Sequence, residues 1–130
     1  MEHGFTKRQS ISKRMRDLLK ALAPHVVVVG SVSRGNINAK DLDLLFNADS
    51  DTAYRRVREI IRRSGLKFES CLPGNWTFDE GVQIEVLPIH HGKSYRSCRR
   101  KGQRWEFWGI ELIVAPADCT MSHADYLQGV

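Results

Sequence analysis

Four consecutive β-branched residues, Val26 to Val29, are followed by the loop Gly-Ser-Val-Ser-Arg-Gly and then by Asp41-Leu42-Asp43-Leu44-Leu45-Phe46. No other stretch restricts the fold as strongly. A strand that is apolar at every position must be covered on two sides. In the second segment Leu42, Leu44 and Phe46 fall on one face, and Asp41, Asp43 and Leu45 on the other, which describes a strand with one polar end.

The flanking segments read as helix before and mostly strand after. Ile11, Met15, Leu18, Leu19 and Leu22 draw one apolar stripe on a first helix that Pro24 stops. Asp49, Ser50 and Asp51 offer N-caps for a second helix, whose Ala53, Val57, Ile60 and Ile61 share a face and whose end is marked by Gly65. Leu66 to Leu72, Trp76 to Phe78, Val82 to Leu87 and Trp105 to Val114 read as strands. Pro73-Gly74, Asp79-Glu80-Gly81 and a long basic loop separate them, and a short helix from about Ala117 to Leu127 closes the chain. No repeat, low-complexity tract or linker divides residues 1–130, so the expectation is a single α+β domain with a mixed β-sheet and helices packed on one face.

At 130 residues a domain buries roughly 65–70% of the surface its unfolded chain exposes. Cys71, Cys98 and Cys119 are odd in number and far apart. They suggest neither a disulfide framework nor a zinc ribbon, and are expected as reduced thiols in a cytoplasmic protein. Lys7, Arg8, Lys13, Arg14 and Arg16 interrupt the N-terminus before any secretory apolar stretch, and Val26 to Val29 is too short to cross a membrane. A formal charge of +5 and a pI near 9.4 favour an anionic partner such as nucleic acid or nucleotide phosphate.

Asp41 and Asp43, two apart on a strand, project from one face roughly 6–7 Å from each other. Two carboxylates so placed repel unless a cation lies between them. Mg²⁺ takes hard oxygen ligands and keeps positions for water and substrate phosphate. In the preceding loop Gly30 and Gly35 permit unusual dihedrals and close main-chain approach. Ser31 and Ser33 add hydroxyls, and Arg34 is a fixed cation suited to phosphate. A phosphate cradle leading into a strand with two carboxylates suits the metal complex of a nucleoside triphosphate.

Gly30-Ser31-Val32-Ser33-Arg34-Gly35, five intervening residues, and Asp41-Leu42-Asp43 resemble the signature of the polymerase-beta-like nucleotidyltransferase superfamily. The spacing and Lys40 before the first aspartate are most similar to the palm domain of family X DNA polymerases. The resemblance implies a nucleotidyltransferase palm-like fold and a third carboxylate on a neighbouring strand, for which Glu85 is the candidate, where the family commonly has aspartate. It implies two Mg²⁺ ions, with Mn²⁺ as a substitute, held by Asp41, Asp43 and Glu85, and triphosphate held by Gly30, Ser31, Arg34, Gly35 and the loop amides. The activity implied is transfer of a nucleoside monophosphate from a nucleoside triphosphate to a hydroxyl, with a DNA or RNA 3′ end as preferred acceptor.

The chain departs from that family in two respects. It has no room for the flanking lyase-type and thumb domains, which a separate protein partner would have to supply. Trp108 to Ala117 stands where the family has an aromatic-rich strand ending in Tyr-Phe-Thr-Gly-Ser, so sugar selection does not carry over. Two other readings stay open: nucleotidylation of a protein or small molecule, and a non-catalytic nucleotide- or nucleic-acid-binding module.

Lys93, Arg96, Arg99, Arg100, Lys101 and Arg104 form an acid-free run with Tyr95 among them. As a loop emerging near the carboxylates, Arg96, Arg99, Arg100 and Lys101 would track a polynucleotide backbone; as a hairpin tip they would simply be solvated. His90 and His91 read as turn residues, and Trp76, Trp105 and Trp108 as packing.

Overall fold

The computed structural model describes residues 10–36, 39–47, 50–70, 74–87 and 92–119. Helix α1, Lys13–Leu22, begins where Ser12 Oγ accepts the Met15 amide at 3.1 Å. Its apolar stripe buries Met15, Leu18, Leu19 and Leu22. Glu80 accepts both the Ser12 amide and the Ser12 hydroxyl, each at 2.6 Å, which ties the start of the helix to a distant turn. Pro24 ends the α-helix through a 3₁₀ turn, Ala23–His25, that feeds directly into strand β1, Val26–Val29. Helix α2, Asp51–Arg63, starts at Ser50, whose Oγ accepts the Ala53 amide at 3.1 Å. Of the three expected caps, Asp49 lies outside the described residues.

The sheet holds β1 together with β2 (Leu42–Asn47), β3 (Phe68–Glu69), β4 (Asn75–Phe78), β5 (Val82–Leu87), β6 (Gln103–Phe107) and β7 (Ile110–Val114). Their order is β3-β4-β5-β2-β1-β7-β6. β1 runs antiparallel to β2 and parallel to β7, β2 runs parallel to β5, and the remaining pairs are antiparallel. The architecture is α+β with a mixed sheet. The valine strand lies inside it, with all four side chains buried as their composition requires.

Several expectations need correction. The helices do not pack on one face alone. α1 and α2 cover Val26, Val28, Leu42, Leu44, Phe46 and Ile84, while helix α3, Gly92–Arg100, lies on the opposite face, where Tyr95 packs with Val27, Val29, Leu45 and Leu87. α3 replaces most of the expected basic loop. The single strand expected over Trp105 to Val114 is a hairpin, because Trp108 and Gly109 both take positive φ, 52° and 80°, and reverse the chain. The strand expected over Leu66 to Leu72 is only the two-residue β3, with Cys71 and Leu72 outside the described residues.

Cys98 and Cys119 form a disulfide with a Cα–Cα distance of 6.1 Å. This overturns the expectation of reduced thiols at Cys98 and Cys119 and removes its support for a reducing compartment. The closing helix expected from Ala117 falls almost entirely outside the described residues; within them Cys119 donates its amide to Pro116 O at 2.9 Å in a turn. No helix among the described residues is long and apolar enough to cross a membrane.

Candidate functional site

The turn after β1 is held from within. Ser33 Oγ donates to Gly30 O at 2.7 Å, and the amides of Arg34 and Asn36 donate to Ser31 O at 3.2 and 3.0 Å. The Gly35 amide donates to Val32 O at 3.0 Å. These bonds employ the amides of the second half of the loop, so the Ser31, Val32 and Ser33 amides are the ones outside the turn's own ladder. Val32 is fully buried and pins the loop to the core beneath α1 and α2, while Arg34 and Gly35 face solvent.

Gly30 has φ +76°, and a Cβ there would overlap Asp43 Oδ2. The Asp43 carboxylate therefore lies directly on the loop, brought there by the β1–β2 register that pairs Val29 with Asp43. The parallel β2–β5 register pairs Asp43 with Gln83 and Leu45 with Glu85. Side chains two apart on a strand share a face, so Glu85 stands diagonally from Asp43, one pair along. Asn75 on β4 pairs with Glu85 from the other side.

Val29, Asp43, Leu45, Asn75, Gln83 and Glu85 all line one cleft of about 10 Å³, room for roughly one water-sized sphere. Glu85 is only 6% exposed. Asp41 does not line this cleft; it precedes β2, whose ladder begins when the Leu42 amide donates to Gly81 O at 2.8 Å. Among the described residues no group of three His, Cys, Asp or Glu side chains gathers to hold a metal ion. The structure thus brings together Asp43, Glu85 and Gly30, and leaves Asp41 aside. Gln83 could be placed on the Glu85 face from the alternation of its strand. Asn75 could not, because only strand pairing brings it there.

The basic residues lie elsewhere. Arg96, Arg99 and Arg100 are on α3, on the carboxylate face but toward the opposite end of the strands, beside His25, Phe46 and Asn47. Asn47 is four residues along β2 from Asp43, roughly 13 Å. The expectation that this run emerges beside the carboxylates is therefore corrected: β5 runs parallel to β2 and ends with Leu87 opposite Asn47, so α3 starts against Asn47, at the end of the strands away from Asp43. Lys101 follows the helix and is exposed. His90 and His91 lie outside the described residues.

Compared with family models, curated proteins and solved structures, the chain matches none.

Proposed function

We propose that the chain is a metal-dependent nucleotidyltransferase with a polymerase-beta palm-like fold, transferring a nucleoside monophosphate from a nucleoside triphosphate to the 3′ hydroxyl of a nucleic acid. The observation that carries this reading is the parallel β2–β5 pairing, which sets Glu85 beside Asp43 in one cleft at the foot of the Gly30 loop. Asp43 and Glu85 line the same small volume, together with Asn75 and Gln83, and carboxylate oxygens suit a hard cation. Asp43 and Glu85 would hold Mg²⁺. The ion would supply charge neutralisation on the phosphates and a more acidic hydroxyl.

The chain's own residues do the positioning. Gly30 lets the main chain approach the carboxylate, and Ser31 and Arg34 present a hydroxyl and a guanidinium to the terminal phosphates. The Ser33–Gly30 bond holds that loop in one shape before substrate arrives.

The position of Asp41 outside the cleft favours a second reading, a nucleotide- or nucleic-acid-binding module without turnover. Incubation with labelled nucleoside triphosphates, Mg²⁺ or Mn²⁺, and a panel of acceptors separates the two. Transfer to a primer, abolished by Asp43→Asn and Glu85→Gln, is the expected outcome. Label on protein or a small molecule would reassign the acceptor, and metal-independent nucleotide binding with no transfer would establish the binding module.

A further inference from the structure

Away from the carboxylates, a pocket of about 590 Å³ opens at the far end of β1 and β2. Five arginines reach it from three elements: Arg56 from α2, Arg96, Arg99 and Arg100 from α3, and Arg104 from β6. No acidic residue lines it among the described residues. The run from 93 to 104 sorts by chemistry here, for its four arginines line the pocket and Lys93 and Lys101 do not. A planar guanidinium grips phosphate oxygens through two parallel bonds, whereas an ammonium offers only a point charge.

The walls are built rather than merely charged. Arg99 is fixed by donating to Pro24 O at 2.8 Å and Val26 O at 3.4 Å, and the buried Tyr95 donates its hydroxyl to His25 O. Arg104 is paired with Glu111 at 2.9 Å. No ion pair among the described residues holds Arg56, Arg96 or Arg100. A concave space that gathers like charges from separate elements is stabilised by a compact anion. A running polynucleotide backbone, by contrast, is tracked by cations spread along a groove.

We propose that this pocket binds a terminal oligophosphate, a cluster of phosphates at the end of a molecule, independently of the carboxylate cleft. The source is either a free nucleotide-type oligophosphate or the 5′-phosphorylated end of a polynucleotide.

The test is calorimetric titration of the full chain with sodium tripolyphosphate at low salt in EDTA, which keeps divalent metal from the carboxylates. One-to-one binding is expected. The double variant Arg96→Gln/Arg100→Gln should weaken it by about tenfold or more, since removal of a single charge-assisted hydrogen bond has about that effect. Lys67→Gln, an exposed cation that lines neither this pocket nor the carboxylate cleft, should leave it within about twofold. Circular dichroism of the variants excludes misfolding, and Arg56→Gln gives an independent wall of the same pocket. Competition with oligonucleotides then identifies the source. Stronger displacement by a 5′-phosphorylated than by a 5′-hydroxyl oligonucleotide assigns a polynucleotide end, and displacement by neither assigns a free oligophosphate. Absence of tripolyphosphate binding, binding indifferent to the α3 and α2 variants, binding lost in Lys67→Gln, or equal displacement by both oligonucleotides would each overturn the proposal.

Discussion

At Gly30 two demands meet on one Cα: a φ of +76° and an Asp43 oxygen occupying the space of a Cβ. Alanine there must adopt a strained backbone and also push the carboxylate out of its cleft, a combined cost of about 1–3 kcal/mol. Gly35 is the natural control. Its φ of +90° is also positive, but nothing lies within 4 Å of a Cβ at that position, so alanine bears only the backbone cost of about 1 kcal/mol. Gly30→Ala should therefore melt lower than Gly35→Ala and lose metal-dependent nucleotide binding, while Gly35→Ala keeps it; thermal melts with and without Mn²⁺ and nucleoside triphosphate make the comparison. Equal behaviour of the two variants would mean that the Gly30–Asp43 contact does not organise the loop. Gly30 and Asp43 were both legible in the sequence, since the motif places a glycine and a carboxylate at the two sides of a turn. The separation of Asp41 from Asp43 was not. The i, i+2 argument assumes that the strand already includes residue 41, and where a strand starts is decided by its partner, here Gly81 O bonding the Leu42 amide.

Among the elements, legibility followed how much of each helix's specification is local. α1 carries four buried residues at helical spacing and a serine cap, all visible without knowing the fold. α3 has the sequence Gly-Lys-Ser-Tyr-Arg-Ser-Cys-Arg-Arg, in which only Gly92 and Tyr95 are buried. It is held by tertiary anchors, the Tyr95 hydroxyl on His25 O and the Cys98 bridge, which no periodicity reveals. The β6–β7 hairpin escaped for a related reason: a tryptophan at positive φ is an uncommon turn residue, and the aromatic and β-branched residues on either side read as one strand. α2 is locally specified to its end, where Glu59 bonds Arg62 at 2.5 and 2.9 Å and Arg63 at 2.9 Å. Those bonds, Arg62 first and Arg63 second, lower the Glu59 pKa from 4.5 to about 2. A depressed carboxyl contributes to stability above its unfolded pKa, and that contribution fades as pH falls from about 4.5 to about 2. NMR titration of the Glu59 side-chain carbon should report a midpoint below 4.5, moving upward in Arg62→Ala. Because the pair is solvated, Glu59→Gln should hardly move the melting temperature at neutral pH.

For the molecule as a whole, the two faces of the sheet are unequal among the described residues. There the core under α1 and α2 gathers most of the buried apolar side chains, whereas the one under α3 holds Val27, Val29, Leu45, Leu87, Tyr95 and Ala115. The smaller face is supplemented by a covalent link from α3 to the segment after β7. Three cysteines scattered along a chain give no hint of this. Cys98 and Cys119 become neighbours only because β7 lies parallel beside β1, carrying its C-terminal end to the face that α3 covers. Closing a loop with a sequence separation of 21 restricts the unfolded chain by about 3 kcal/mol in the chain-entropy account. In a domain of this size that corresponds to a fall in Tm on the order of 10 °C when the bridge is removed. Cys98→Ser should show that fall without reductant, and dithiothreitol should bring wild type down to the same temperature while leaving Cys98→Ser unchanged. Cys71→Ser, outside the bridge, should retain the full response to dithiothreitol. Thiol titration of the denatured, unreduced wild type supplies the direct count: with three cysteines in the chain and two in the bridge, one thiol should react before reduction and three after, whereas three before reduction would show that α3 is held by packing alone.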